Sequence, residues 1–482
     1  MTLSRREFLR LAGLVAGGVT ASACSPLYRQ LSGLPATLAG WPPVSAWDFQ
    51  VLSRLTYGPT ELDRLDINGL GWKSWIEMQL SPESIEDQAV TWRLRSLESI
   101  GSDPDGLADW DKEVLIDELK QAALLRRVYS RRQLYERMVE FWSDHFNISV
   151  WKGDCWFLKA IDDREVIRQH ALGDFRDLLW ASAHSPAMLV YLDNQVNEGA
   201  APNENYAREL MELHSLGVDG GYSQSDVMEL ARCLTGWTVK QHFWQGQFTF
   251  NPDLHDPEPK FVLGRRVEPA GQREAESVLE ELALHPSTAR HVAIKLLRRF
   301  VSETPPARLI EDTAQTFLAT HGSIRAVLDR LLLDVLPEWG AKVKRPNDFI
   351  AGGLRILAAD TDGARPVQDY LRQMGQPAFE WPTPDGPPDR SDYWISNLMP
   401  RWRFALALAQ NQISGTTLDL DGLATAAGGD TLKRMSELLL GLQLDPELSG
   451  GLLQQAIGQV DEQTQLQLSL AGLLASPGFQ WH

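Results

Sequence analysis

The sequence is poor in cysteine and contains none of several familiar catalytic motifs. Only three cysteines occur among 482 residues, so a disulfide framework is not what holds this chain together. The chain also lacks a glycine-rich phosphate loop, a Gly-x-Ser-x-Gly elbow and a Cys-x-x-Cys pair. These absences exclude several common chemistries, but they do not indicate which reaction, if any, the protein catalyses.

Positive charge is also scarce. The chain carries 46 Lys and Arg against 64 Asp and Glu, which gives a formal net charge of -18. Removing residues 1–23, whose charged residues are three arginines and one glutamate, leaves a net charge of about -20. Nucleic acid and anionic membrane surfaces are therefore not expected as partners.

The N-terminus has an apolar run, but one too short and too rich in glycine to span a bilayer permanently. Arg5 and Arg6 precede this run, LAGLVAGGVTASA, and small residues end it. This order looks like a twin-arginine export signal covering residues 1–24. The Pro- and Gly-punctuated segment 25–43 is then a tether to the folded body.

Two ways of processing this signal stay open. Ala21-Ser22-Ala23 fits cleavage by an ordinary signal peptidase, whereas Ala23-Cys24-Ser25 fits lipid attachment on Cys24. We therefore expect an exported protein, either periplasmic or membrane-anchored through Cys24. Membrane contact is expected only through this N-terminus.

The rest of the chain predicts a mainly α-helical fold. Apolar residues recur at three- and four-residue spacing across 44–411, which indicates one multi-helical main domain. Within it, short runs divided by Gly and Pro predict a small antiparallel β insertion at 237–267. The Pro-, Gly- and Asp-rich segment 380–396 predicts a long loop, and loops of that length are more often functional than accidental. Residues 412–482 predict a small C-terminal helical subdomain.

The segment 193–237 gathers polar groups into one predicted helical hairpin. Its candidate catalytic residues are Glu209, Glu212 and His214, and its candidate ligand-binding residues are Asn205, Arg208, Asp226, Arg232 and Trp237. Arg208 and Glu212 are four apart and can pair on a helix, whereas Glu212 and His214 point away from one another. The spacing matches neither Glu-x-x-His nor His-Glu-x-x-His. A metal would need ligands from other elements, with His145, His170 and His255 as the candidates.

Two further candidate clusters lie on predicted helices. His145 shares a helix face with aromatic residues, and Asn147 beyond it can hold a turn that leaves the imidazole in a polar pocket. His145 is therefore a candidate catalytic residue. Arg168 and His170 are two apart, so at most one of these candidate ligand-binding residues lines a given cleft.

The β insertion supplies the remaining candidates. His255 and Asp256 are adjacent in an irregular stretch, and such loops often provide ligands or acid–base groups. We therefore add both as catalytic candidates and Lys260 as a ligand-binding candidate. By contrast, the acids and bases of residues 272–303 flank apolar stripes, which indicates solvated amphipathic helices.

Two functions fit these patterns. The first is an enzyme, or a cofactor- or metal-binding protein, with a polar pocket built from the 203–237 hairpin, the helix of His145 and the 255–260 loop. The metal and the cofactor are unknown, since no spacing demonstrates either. The second is a non-catalytic scaffold or an assembly partner of a second protein exported by the twin-arginine route. In it, Arg208 and Arg232 neutralise the acids of the hairpin and form a buried clamp.

The sequence resembles a bacterial family catalogued as domain of unknown function 1800, whose function is unassigned. The matching stretches are LSRLTYGPT (53–61), MVEFWSDHFN (138–147), VIRQHALGDFRDLL (166–179), SPAMLVYLDN (185–194), NENYARELMELHSLGVDGGYSQSDVMELARCLTGW (203–237), FTFNPDLHDPEPKFVLG (248–264), HPSTARHVAIKLLRRFV (285–301) and KVKRPNDFI (342–350). This resemblance implies export and, as a partner, a second exported protein of a phosphatase- or sulfatase-like family. The chain departs from the family pattern at Glu380-Trp381-Pro382 and at Asp174.

Overall fold

The computed structural model describes residues 41–240, 246–334, 339–427, 431–441 and 460–482. The predicted export signal, Cys24 and the tether up to residue 40 lie outside the described residues. The described part is mainly α-helical, which confirms the predicted fold class. In that part, no helix combines the length and the apolar character that crossing a membrane requires.

The helices before the β insertion are α1 (Ala46–Leu55), α2 (Glu61–Leu70), α3 (Trp72–Gln79), α4 (Gln88–Leu94), α5 (Pro104–Leu107), α6 (Lys112–Tyr129), α7 (Gln133–His145), α8 (Cys155–Ile161), α9 (Arg168–His170), α10 (Phe175–Ala183), α11 (Pro186–Tyr191), α12 (Glu204–Glu212) and α13 (Gln224–Cys233). A π-helical turn, Asp162–Ile167, joins α8 to α9.

The helices after the insertion are α14 (Gln272–Ala283), α15 (Pro286–Phe300), α16 (Ala307–Ala319), α17 (Ile324–Asp334), α18 (Pro346–Ile356), α19 (Arg365–Gln373), α20 (Ser391–Trp394), α21 (Leu398–Ala409), α22 (Leu420–Ala427), α23 (Thr431–Leu440), α24 (Glu462–Ala475) and α25 (Pro477–Gln480).

The predicted β insertion consists of two antiparallel hairpins. Strand β1 (Trp237–Val239) pairs with β2 (Phe248–Phe250), and β3 (Lys260–Val262) pairs with β4 (Arg265–Val267). A third antiparallel pair, β5 (Asp360–Thr361) with β6 (Thr416–Thr417), was not predicted. It joins the loop after α18 to the loop after α21.

The buried apolar side chains form two clusters. The first is built mainly from helices α1 to α17 and includes the packed rings of Trp142, Phe146 and Phe175. The second includes one face of α6 and the helices from α18 onward, with Phe349 packed against Phe404 and Phe479. The described helices of the C-terminal segment thus share a core with α18 and α21. A subdomain boundary at residue 411 stays a prediction.

Buried charged groups join the two clusters where α7 faces the start of α18. Arg137 of α7 forms an ion pair with Asp348 of α18, and both side chains are nearly inaccessible to solvent. The Asn347 amide donates a hydrogen bond to Glu140 at 2.8 Å. Buried charges are tolerated only when paired, so these contacts fix the position of α18 against α7.

Arg54 is a second link between distant segments. Its guanidinium donates to the carbonyl oxygens of Phe300 (3.1 Å), Val301 (3.2 Å), Gly340 (2.5 Å) and His482 (2.8 Å). It therefore holds α1, the end of α15, the segment before α18 and the last residue of the chain together.

Replacing Arg54 with methionine is expected to lower the free energy of unfolding by about 3–5 kcal/mol. The reason is that four carbonyl oxygens lose a charged donor in the interior. Chemical denaturation measures this change. The control is Arg330→Met, because Arg330 pairs with Asp334 on the surface and such pairs contribute little. Equal effects of the two substitutions would contradict the role of Arg54.

Candidate functional site

A polar pocket of about 530 Å³ lies between α7, α15, the residue before α18 and the loop 380–396. Its size is typical of cavities that bind small molecules. The lining residues are Phe141, Asp144, His145, Lys295, Arg298, Arg299, Glu303, Thr304, Arg345, Asp385, Pro387, Pro388, Asp389, Arg390 and Asp392. The predicted Pro-rich loop thus forms one wall of the pocket.

The loop is fastened to the body at several points. The amide of Asn147 donates to the carbonyl oxygens of Trp381 (3.1 Å) and Thr383 (2.7 Å), so Asn147 holds the loop and does not merely turn the chain. The Tyr191 hydroxyl donates to the carbonyl oxygen of Pro382 at 2.9 Å. These bonds place the loop over the C-terminal end of α7.

An ionic network forms the inner wall. Asp144 accepts hydrogen bonds from Arg299 (2.9 Å) and Arg345 (2.8 Å). Asp389 of the loop lies 3.2 Å from the Lys342 ammonium and 3.6 Å from Arg299. Burial acts to raise the pKa of Asp389, but Arg299, Lys342 and Arg345 outweigh it and lower that pKa to about 2. Asp389 is therefore ionised at neutral pH. Burial, together with the charge of Glu140, raises the pKa of Asp144 although Arg345 and Arg299 oppose the shift. Both carboxyl groups are paired with cations.

Lys295 also lines the pocket, but it takes no part in this pairing. Among the described residues its ammonium forms no hydrogen bond and no ion pair, and it opens onto the pocket. Burial lowers the pKa of Lys295 to about 8, although Asp144 and Asp385 partly oppose the shift. The pocket therefore contains an ammonium group that no protein group within the described ranges contacts through a hydrogen bond or an ion pair.

Three imidazoles pack together behind Lys295. The ring centroid of His145 lies 6.1 Å from that of His214 and 6.0 Å from that of His291. Burial, together with the charge of Lys295, lowers the pKa of His145 well below its usual value, that of His214 to about 3 and that of His291 to about 4. All three rings are neutral at physiological pH.

The hydrogen bonds of these rings determine where their protons lie. His145 Nε2 is 3.2 Å from the carbonyl oxygen of His214, and His291 Nε2 is 3.1 Å from that of Leu213. A carbonyl oxygen only accepts, so both Nε2 atoms carry hydrogen. His145 Nδ1 is then unprotonated, and it is buried with no hydrogen-bond partner among the described residues. His145 thus borders the pocket with its ring and not with an available nitrogen.

The structure therefore brings together two of the histidines predicted from sequence and adds His291, which sequence reasoning missed. Within the described residues, no group of three or more His, Cys, Asp or Glu side chains is placed to hold a metal ion. Cys155 and Cys233 are buried free thiols.

His255 belongs to a different cluster, and residues 255–260 do not line this pocket. Its Nδ1 lies 2.8 Å from the carbonyl oxygen of Thr235, and its Nε2 lies 3.0 Å from Glu274 of α14. Glu274 also pairs with buried Lys260. These mutually satisfied groups fasten the β insertion to α14, as a structural clamp does.

Asp256 and Arg232 extend the same clamp. Arg232 donates to Asp256 at 2.6 Å and to Glu229 at 2.8 Å. These hydrogen bonds raise the pKa of Arg232, and they keep the pKa of Asp256 below its usual value although burial acts in the opposite direction. Arg232 is thus paired, but its contacts join the second helix of the hairpin to the β insertion and do not join the two helices of the hairpin to each other.

Arg208 does not behave as predicted. It pairs with Glu204 at 2.9 Å, not with Glu212, and its side chain is 39% exposed. The prediction of a buried clamp at Arg208 is therefore wrong, because α12 turns this side chain toward solvent. Among the described residues, Glu209 and Glu212 form no ion pair, and burial followed by the charge of Glu212 raises the pKa of Glu209.

The remaining hairpin candidates have structural contacts. Asp226 completes the capping box of α13 with Ser223 and accepts from the backbone of Leu263. The Asn205 amide donates to the carbonyl oxygen of Leu192 at 3.1 Å. Trp237 is buried, and its ring centroid lies 4.5 Å from that of His184.

Arg168 and His170 lie in different surroundings, and only Arg168 borders a second cavity. Arg168 lines that cavity, whereas His170 is half-buried and does not, in agreement with the expectation that at most one of the two lines a cleft. The π-helical turn explains a contact of Arg168. It brings residues five apart into register, and Arg168 donates to Asp163 at 2.8 Å.

The pocket residues that sequence reasoning missed lie in charged stretches. Lys295 and Arg299 belong to residues 272–303, for which we predicted solvated faces, yet Arg299 is buried and Lys295 lines the pocket. Asp144 precedes the candidate His145 directly. The sequence signal that was available for these residues was a single charged residue beside an aromatic helix face. Residue spacing alone does not distinguish such a residue from a solvated one.

Fold and site thus define a mainly α-helical globular protein whose charged pocket is covered by a proline-rich loop. The family model described as "Protein of unknown function (DUF1800)" matches residues 50–481, and the chain belongs to this family. This match confirms the resemblance seen in the sequence. No curated protein and no solved structure matches the chain.

The substitution Gly386→Ala is expected to displace the loop from the pocket. Gly386 has a φ of +71°, and an added Cβ would overlap the carbonyl oxygen of Asp144. We expect faster proteolysis within 380–396 and a changed tryptophan fluorescence, since Trp381 and Trp394 lie in the loop.

The matched control is Gly375→Ala. Gly375 has a φ of +85°, but its Cβ would meet open space, so only the backbone strain of about 1–2 kcal/mol applies. If both variants were cleaved at the wild-type rate, the close contact between the loop and α7 would be refuted.

Proposed function

We propose that the protein is an enzyme or cofactor-binding protein that holds a small anionic molecule in the pocket between α7, α15 and the loop 380–396. The anionic group is a carboxylate, phosphate or sulfate, and Lys295 is the residue that binds it. The single observation that carries the proposal is the unpaired ammonium of Lys295 in a pocket whose other buried charges are paired.

The carboxyl groups of the inner wall already have cationic partners. Asp144 is shared by two arginines, and Asp389 is held by Lys342 and Arg299. These carboxylates are therefore already satisfied and do not need to rotate toward Lys295. A buried charge without a partner is unfavourable, and a bound anion offsets that cost.

The rim supports the same ligand class. Arg298 lines the pocket one helical turn after Lys295 and is exposed. Residues three apart on a helix are neighbours, so the two cations face a shared region of the cavity. A small anion can reach Arg298 from solvent before it reaches Lys295.

The pKa of Lys295 also suits a catalytic role. An amine with a pKa of about 8 exchanges its proton near neutral pH, and so it can accept a proton from a bound substrate. The neutral imidazoles behind it do not compete for the anion. These features support an enzyme as well as a binding protein.

Export through the signal in residues 1–24, with lipid attachment at Cys24 as one route, is part of this proposal. Its support is the order of paired arginines, apolar run and small residues in the sequence.

A second candidate function, assembly with another exported protein, is supported by one surface. Met399, Trp402 and Leu406 are spaced three and four apart along α21 and are 55%, 45% and 41% exposed. Ile395, just before the helix, is 42% exposed and continues the stripe. Apolar stripes of this kind mark interaction surfaces.

Lys295→Met is expected to weaken anion binding about tenfold or more, because a charged hydrogen-bond donor is lost. Thermal unfolding at constant ionic strength with acetate, sulfate or inorganic phosphate measures this effect. A ligand present at 100 times its Kd stabilises the folded state by about 2.7 kcal/mol. The control is Lys152→Met, which removes a half-exposed ion pair with Asp193 outside the pocket.

The same titrations at several pH values test the charge of Lys295. Wild-type binding is expected at full strength below about pH 7 and to decline as the pH rises through about 8, where the ammonium loses its proton. Lys295→Arg keeps its charge and should bind at high pH as well. Indistinguishable binding by wild type and Lys295→Met, for every anion and at every pH, would refute the proposal.

For the second candidate, the double substitution Met399→Glu and Trp402→Glu is expected to abolish co-purification with a co-expressed, exported phosphatase- or sulfatase-like protein. Charges placed in the stripe must be desolvated at an interface. Leu62→Glu and Leu65→Glu, two exposed apolar positions on α2, serve as the control. Undiminished association of the α21 variant would exclude this surface as the interface.

A further inference from the structure

A second cavity, of about 790 Å³, lies apart from the pocket of Lys295 and shares none of its lining residues. It is bounded by α4 and the residue before it, by the last turn of α6, by the start of α7 and by Arg168 after the π-helical turn. Its lining residues are Asp87, Gln88, Val90, Thr91, Trp92, Arg95, Arg126, Arg132, Tyr135, Glu136 and Arg168.

The cavity is basic, although the protein is strongly acidic. Four arginines line it against two carboxylates, whereas the whole chain has a net charge of -18. Both carboxylates are already engaged. Asp87 accepts from the Ser130 hydroxyl at 2.7 Å and from the Arg131 backbone at 2.8 Å, and Glu136 accepts two bonds from Arg168 at 3.0 Å.

Two of the lining arginines are engaged as well. Arg168 uses all three of its nitrogen atoms, because it also donates from Nε to Asp163. Arg132 donates from Nε (3.0 Å) and from one terminal nitrogen (2.8 Å) to the carbonyl oxygen of Ile85. The remaining nitrogen of Arg132 makes no hydrogen bond among the described residues.

Arg126 is different. Its guanidinium has five N–H donors, yet it donates no hydrogen bond within the part of the chain that the structure describes. Its one ion pair is a distant contact of 3.8 Å with Asp163, which Arg168 already holds at 2.8 Å. The Arg126 side chain is only 14% exposed, and its nitrogen atoms open onto the cavity.

A guanidinium so deeply placed is normally paired, and it matches the two oxygens of an oxyanion in a fork geometry. The planar group of Arg95 lies 4.0 Å from the ring of Trp92 at the cavity wall, which adds positive charge near the same space. Burial followed by the neighbouring charge of Arg168 lowers the pKa of Arg126 to about 10, so it stays charged at neutral pH.

We propose that this second cavity is a binding site for a small molecule that carries a phosphate or sulfate group, and that Arg126, assisted by Arg132, binds that group. The site is independent of the pocket of Lys295. The anion bound there lies close to positive charge, although the protein as a whole is negatively charged.

The test uses the full protein carrying Lys295→Met, so that the first pocket does not contribute. Inorganic phosphate and inorganic sulfate are titrated at constant ionic strength, and binding is measured by calorimetry. We expect Arg126→Met to weaken binding at least tenfold and Arg126→Lys to retain part of it. Arg131→Met is the matched control, because Arg131 pairs with Asp66, is 41% exposed and does not line the cavity.

A stability measurement separates binding from a structural role. The Arg126 side chain donates no hydrogen bond to any described residue, so Arg126→Met should leave the denaturation midpoint unchanged or raise it, whereas Arg168→Met should lower it. Unchanged phosphate and sulfate binding by Arg126→Met, or no binding by the parent protein, would overturn the proposal. A fall in the midpoint equal to that of Arg168→Met would likewise show that Arg126 is structural.

Discussion

The placement of charge inside this protein depends on one constraint: a charge removed from water must be paired or hydrogen-bonded. Several of the ion pairs that satisfy it lie where α7 meets the N-terminal end of α18, between the two apolar clusters. Arg137 with Asp348, and Arg345 with Asp144, fix these helices against each other. The interior is thus joined by ionic contacts as well as by apolar packing, and any charge left outside this pairing stands out.

Two of the described cations that have no close carboxylate partner, Lys295 and Arg126, each line a cavity. Lys295 is surrounded by paired carboxylates and neutral imidazoles, whereas Arg126 lies beside an aspartate that another arginine already holds. The charged hairpin that dominates the sequence has another task. Arg232, Asp256 and Glu274 are satisfied by their neighbours and hold the β insertion in place. Arg232 of the hairpin is therefore paired in the fold, whereas Glu209 and Glu212 form no ion pair among the described residues.

Sequence reasoning predicted the helical class, the β insertion and the loop because each has a local signal: apolar spacing, short β runs, or a high content of proline and glycine. It also placed His145 beside aromatic rings correctly. It did not find Lys295, Arg299 or Arg345, because a charged residue on an amphipathic helix has the same local pattern whether its partner is water or a buried carboxylate. The partners lie far away in the chain: Arg345 is 201 residues from Asp144. The prediction for Arg208 was wrong for a different reason. Helical spacing allows Arg208 to pair with either Glu204 or Glu212, and in the fold it pairs with Glu204 on the exposed side of the helix.

We propose that Lys295 binds an anion that comes from outside the protein. A crystal structure of the protein soaked with sulfate at pH 7 and constant ionic strength would show this directly. We expect a sulfate oxygen at about 2.7–3.2 Å from Lys295 Nζ, with the pairing of Asp144 and Asp389 unchanged. An ammonium of Lys295 paired with Asp385 or Asp144, in a pocket without sulfate, would contradict this proposal.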